Sequence, residues 1–182
     1  MSNYVTIKST NYSDVLQIST MKKIRTVTKN SQWKNVALSV QQPWASLICS
    51  GIKDIENRRW QTDYRGRLYI VASSKNAASR LEKGEFPAIW RTEIKKLQER
   101  GLFPDFSELH QSAVIGYVDI VDCTGEEVDS IWSMGTLQEG NINWILRNAH
   151  TFEHTLFPGF EAKLNLFEIP ELDEDNLPPT KS

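Results

Sequence analysis

Residues 38–75 read LSVQQPWASLICSGIKDIENRRWQTDYRGRLYIVASSK. A short β-rich run over 36–40 leads into Gln41-Gln42-Pro43. Proline suits the first position of a helix, where its missing N–H would have no partner in any case. Trp44, Leu47 and Ile48 then recur at i, i+3 and i+4, and Gly51 is placed to end that helix in the left-handed conformation. A second strand is expected over 52–58. The third, over 67–73, is the strongest β signal in the chain, with Leu68, Tyr69, Ile70 and Val71 in a row.

Working outward, Asn76 is placed to cap a short helix ending near Gly84. Pro87 opens a longer one, with Trp90, Ile94 and Leu97 on one face and Gly101 beyond its end. Further strands are predicted over 113–123, 143–147 and 164–169. Strands with a few helices placed among them predict an α+β fold, with a curved sheet or small β-barrel and flanking helices. The folded unit is expected over 36–170. Residues 1–35 read as a basic, flexible N-terminal extension, because residues 1–34 hold six basic side chains and one acid, Asp14. Residues 171–182 read as an acidic, proline-containing tail.

Composition narrows the function classes. The chain has 182 residues, of which 40% are hydrophobic, so one domain with a sizeable core is expected. Its apolar runs fall far short of the ~20 residues of a membrane helix, and no apolar stretch near Met1 reads as a signal peptide. Two cysteines, Cys49 and Cys123, are too few for a disulfide framework or a four-thiolate zinc site. A cytoplasmic protein without membrane partner is the expectation. The net charge of −2 hides an asymmetry. Residues 1–100 carry 18 Lys and Arg against 8 Asp and Glu, and residues 101–182 carry 3 against 15. Such a split is a hint of a polyanion-facing surface, and the acidic half of a protein-facing one.

Four features of the quoted stretch resemble the ASCH domain, a branch of the PUA-like superfamily. They are the QPWA helix opening, the G-x-K-x-x-E-x-R pattern at Gly51, Lys53, Glu56 and Arg58, the RGRLYI strand, and the Ser-Lys that ends it. AVIGYVDIVDC, INWILRN and KLNLFEI, further along, are similar to the family's later strands. The chain is especially similar to the version found at the end of activating signal cointegrator proteins. The resemblance implies a small β-barrel with flanking helices and a cleft lined by the G-x-K-x-x-E-x-R residues, and binding of RNA or single-stranded nucleic acid. It also brings in an amidohydrolase acting on N4-acetylated cytidine, the activity of a small bacterial member. In those hydrolases a threonine thought to take part in catalysis stands where this chain has Glu56. A carboxylate is not an equivalent nucleophile, so the departure counts against hydrolysis. The family's catalytic glutamate lies after the long strand, in the region of Glu126 and Glu127.

The residues support that reading in their own terms. Lys53 follows the helix stop and is either a surface lysine or a phosphate contact, or a base if burial lowers its pKa. Glu56 and Arg58, two apart on a strand, share one face. They can form an ion pair within the sheet, or present a guanidinium fork to a phosphate or base edge with Glu56 orienting it. If the protein is an enzyme, Lys53 and Glu56 are the catalytic candidates. Arg59, Trp60, Arg65 and Arg67 interleave charge with an aromatic, which suits a stacking platform for a single strand, unless Trp60 folds onto the core. Ser73, Ser74 and Lys75 end the strongest strand with groups that can meet a phosphate. Trp44, Trp90 and Trp144 sit at periodic apolar positions and are expected in the core. His150-Thr151-Phe152-Glu153-His154 matches H-x-x-E-H, but a zinc site of that type needs a helix, and little helix signal is present. No metal and no cofactor are expected. The favoured partner is single-stranded nucleic acid, RNA rather than DNA.

Overall fold

A computed structural model describes residues 25–30, 32–134, 139–172 and 177–180. The elements run β1 (Arg25–Thr26), β2 (Val36–Gln42), α1 (Trp44–Cys49), β3 (Ile55–Arg58), β4 (Trp60–Gln61), β5 (Gly66–Asn76), α2 (Ala78–Glu82), α3 (Ala88–Glu99), β6 (Ala113–Thr124), β7 (Ile142–Leu156) and β8 (Leu166–Glu168). Six strands form one mixed sheet in the order β3-β7-β6-β5-β2-β8. β2 and β5 are parallel, with Leu38 opposite Ile70, and the other neighbours are antiparallel. The ladder does not close on itself, so the architecture is a curved α+β sheet that only approximates a barrel. Strands from the basic and acidic halves interleave in it, so the charge asymmetry of the sequence does not map onto two separate lobes.

Both faces of the sheet are covered, which explains the unbroken apolar run in β5. Leu68, Ile70 and Ala72 join a core with Trp44, Leu47 and Ile48 of α1, Leu81 of α2 and Trp90 and Ile94 of α3. Tyr69 and Val71 face a second core with Ala37, Val114, Phe152, Phe167 and Ile169. A strand buried on both sides has no polar face to alternate with. Gly51 ends α1 at φ +75°, as its position predicts. The Lys53 amide then donates to the Leu47 carbonyl at 2.9 Å. That backbone closure holds Ile52 and Lys53 out of the sheet, the Asp54 carbonyl accepts from the Leu146 amide at 2.9 Å, and β3 begins at Ile55 rather than at 52.

β7 is much longer than the 143–147 expected. It continues through His150 and His154, so the H-x-x-E-H stretch is a strand, with His150 stacked on Tyr117 at 4.6 Å between ring centroids. Three register shifts let β6 and β7 stay paired along this length. Beside the first of them lies Gly116, where an added Cβ would meet the His150 carbonyl oxygen at 2.1 Å and Cys49 Sγ at 2.9 Å. The backbone contact has no side chain that could swing away. Gly116→Ala is therefore expected to cost ~3 kcal/mol of folding stability. An unchanged denaturation midpoint would contradict this close approach.

The described part of the N-terminal extension meets the domain. β1 pairs in parallel with β4, Trp33 packs against the first core, and the Asn35 carbonyl accepts from the Ile169 amide at 3.1 Å. Residues 1–24 lie outside the described residues. At the other end, Leu172 and Leu177 pack on the second core, and Phe152 bridges to Thr180.

Candidate nucleic-acid interface

A cleft of about 1030 Å³ opens where the sheet fails to close, between β3 and the end of β2. Lys53, Glu56 and Arg58 line it together. Lys53 comes from the turn after α1. Glu56 and Arg58 share a face of β3, whose pairing with β7 sets Glu56 opposite Trp144. Lys53 is not a surface lysine: it is 2% exposed. Its ammonium donates to the Ile55 carbonyl and to Glu56 Oε2, the latter at 3.1 Å. Arg58 Nε lies 2.9 Å from Glu56 Oε1, but its N–H is not aimed at that oxygen, so the contact is ionic rather than a formed hydrogen bond. Arg58 Nη2 donates to the Ser39 carbonyl at 3.0 Å, reaching across the open seam of the sheet.

The electrostatics follow from this arrangement. Burial would push the Glu56 carboxyl up, but the Lys53 and Arg58 charges on either side outweigh it and hold it below the usual carboxylate range. Burial pushes the Lys53 ammonium down, opposed by Glu56. The cleft floor thus holds a fixed carboxylate acceptor beside a cation that is easier to deprotonate than a surface lysine. Cys49, by contrast, is a fully buried thiol whose burial pushes its pKa up, so it is inert packing.

The walls are aromatic. Trp44, Phe86 and Trp90 form one side, with Trp44 edge-on to both neighbours at 5.0 and 5.1 Å. Trp60 lines the cleft as well. It is half-buried and sits edge-on to Trp144, with centroids 4.6 Å apart and planes at 90°. Its indole is therefore held by the core on one side and faces the cleft on the other. Ser73, Ser74 and Lys75 complete the rim with Arg80 and Lys163. Among the described residues, five cationic side chains line the cleft against three carboxylates, Glu56, Glu85 and Glu161.

Of the residues singled out in the sequence, Lys53, Glu56, Arg58, Trp60, Ser73, Ser74 and Lys75 come together here. Arg59, Arg65 and Arg67 do not. Arg59 is exposed outside the cleft. Arg65 pairs with Asp122 at 2.9 Å, and the Arg67 guanidinium lies 4.5 Å over the Tyr117 ring, on the face of β5 that carries Tyr69. Glu126 and Glu127 also lie outside the cleft lining. Missed from sequence were Arg80, Lys163 and the aromatic wall. Trp44 and Trp90 are core residues, as expected, that also show a face to the cleft. No periodicity distinguishes such a residue from one buried all round. Among the described residues, no group of three His, Cys, Asp or Glu side chains is placed to hold a metal ion.

Over residues 38–156, which carry this floor and most of the sheet, the chain matches the ASCH domain family. It belongs to the ASCH domain family, a PUA-like family proposed to bind RNA. Over 90 residues it is 40% identical to human activating signal cointegrator 1 and 39% identical to the mouse protein. That match takes in half of this chain and only 14% of either relative's length. Crystal structures of ASCH from Zymomonas mobilis are similar to it, with TM-scores of 0.43 for the unaltered protein and 0.44 for a tyrosine-to-phenylalanine mutant, at 15 and 16% identity. They cover 76% of this chain and 89 and 91% of theirs.

Proposed function

We propose that the protein binds single-stranded nucleic acid, RNA rather than DNA, with a nucleotide seated in this cleft. The observation that carries the reading is the combination of aromatic walls with a cationic rim around a buried, charged floor. Bases stack on aromatic faces regardless of sequence, and rim cations track the phosphates. The floor suits a base edge better than a phosphate, because the Glu56 carboxylate would repel an anion and can accept N–H groups.

Affinity for a short single-stranded RNA should fall linearly with salt on a log–log plot, with a slope of about −0.7 per phosphate contacted. Lys75→Ala and Lys163→Ala change exposed residues, so each should leave stability within ~0.5 kcal/mol. Each should also flatten the slope by about 0.7. Unchanged affinity and slope in both variants would remove the rim from the binding site.

The second reading, amidohydrolysis of an N4-acylated cytidine, has one observation in its favour: the burial-lowered pKa of Lys53, a feature of a general base. Glu56 in place of a hydroxyl nucleophile opposes it. Release of acetate from N4-acetylcytidine that disappears in Lys53→Met, with the variant still folded, would favour the enzyme. A protein partner for the acidic half gains no support from a sheet in which the halves interleave.

A further inference from the structure

The connection from β7 to β8 lines the same cleft from Gly159 to Asn165. It is a built strap. Left-handed backbone at Gly159 and Asn165 turns it in and out, and the Phe160 amide donates to the Ser112 carbonyl at 2.8 Å. Phe160 stacks on Phe167 at 6.0 Å, and the Lys163 ammonium lies 5.5 and 5.6 Å from those two ring centroids. The Lys163 amide donates to Ser39 Oγ at 3.0 Å. Ser39 is thus a node, since its carbonyl accepts from Arg58 of the floor while its hydroxyl holds the strap.

All this structure presents Leu164 to water. It is 89% exposed, against 62% for Leu102, the next most exposed large apolar residue among those described, and it lines the cleft. A lone apolar side chain on a surface needs no explanation. One held at an aromatic cleft by a strap tied to Ser39, the residue that also anchors the cleft's arginine, is a different matter. We propose that Leu164 is a contact residue for the bound nucleotide, covering it from the solvent side, and that Ser39 is the residue that positions the strap for this contact.

The inference rests on the nucleic-acid reading above and adds a residue to it. An aliphatic cover carries no charge and no hydrogen-bonding group. It should therefore slow dissociation of every base alike and leave the phosphate contacts untouched. The test is a titration of the whole chain with a short single-stranded RNA at several salt concentrations, with a denaturant melt of each variant. Leu164→Ala is expected to weaken binding about tenfold. Dissociation should be faster, the salt slope unchanged and the melt unchanged, and Leu164→Met should restore most of the affinity. Ser39→Ala frees Lys163 as well as Leu164, so it should lose affinity with a somewhat flatter salt slope, and the Ser39→Ala/Leu164→Ala pair should lose less than the product of the two losses, because both act on one strap. Binding by Leu164→Ala equal to that of the unaltered protein, or a loss that only tracks its unfolded fraction, would overturn the role of the strap alone. No binding by the unaltered protein would overturn the nucleic-acid reading and this inference with it.

Discussion

Glu56→Ala is expected to lower folding stability by ~3–5 kcal/mol, because it leaves a buried cation without its counter-charge. In that variant Lys53, 2% exposed, would keep the Ile55 carbonyl and the weaker, more distant influence of Asp54, against the like charge of Arg58. For a domain stable by ~5–15 kcal/mol, that is a large share of the total. The pH dependence should carry the same signature. Glu56 has a folded pKa below its unfolded one, so its contribution is fully present above the ordinary carboxylate range and is lost as pH falls through the lowered value. Lys53 has a folded pKa below its unfolded one, so the unfolded chain binds more protons between the two, and stability rises with pH across that alkaline window. Loss of Glu56 should deepen the second effect and abolish the first. Removing both charges together, as Lys53→Met/Glu56→Leu, should recover much of the loss, since an apolar pair has nothing to desolvate. Denaturant melts of the original and both variants across pH check this. A Glu56→Ala protein as stable as the original would mean that the floor is not a coupled charge cluster.

Trp144→Ala is expected to cost a similar ~3–5 kcal/mol, the range for removal of a large buried aromatic. Trp144 is fully buried, its indole N–H donates to the Trp60 carbonyl at 3.1 Å, and its ring is the surface on which Trp60 rests. It also faces Glu56 across the β3–β7 ladder, so its loss loosens the strand that carries Glu56 and Arg58. The variant should therefore lose stability and nucleic-acid affinity together, whereas Leu164→Ala should lose affinity alone. Circular-dichroism melts beside a binding titration separate the two patterns. A Trp144→Ala protein that melts normally would place the Trp60–Trp144 pair outside the core.

Fold and site were legible in the sequence to different degrees. Short-range signals worked where one residue decides the backbone: Gly51 ends α1, Gly84 and Gly101 follow α2 and α3, and β5 stands out because both its faces are buried. Bounds failed where the sheet compensates for poor local signals. β7 carries Asn148, His150 and His154 among weak strand formers, yet pairing with β6 holds it for fifteen residues, with β3 on its other side only at Ile142–Ile145. The G-x-K-x-x-E-x-R residues of the floor could be found because they are close in sequence. The rim and strap could not. Arg80 lies in a short helix and Lys163 in an irregular connection, and only the closing of α2 and β8 around β2 and β5 brings them to the cleft that Lys53 lines. Arg65 and Arg67 show the converse: near Trp60 in sequence, they leave the cleft because Asp122 and Tyr117 claim their side chains.

The six tryptophans make the cleft directly observable. In a proton–nitrogen NMR titration with a short single-stranded RNA, the indole signals of Trp44, Trp60 and Trp90, which line the cleft, should shift most and saturate together. That of Trp33, which packs on the core outside the cleft lining, should barely move, and that of Trp132, in ring contact with Trp90 at 5.9 Å, should follow Trp90 weakly. Saturating shifts confined to Trp33, or none at any indole at RNA concentrations that bind, would show that the cleft is not where nucleic acid sits.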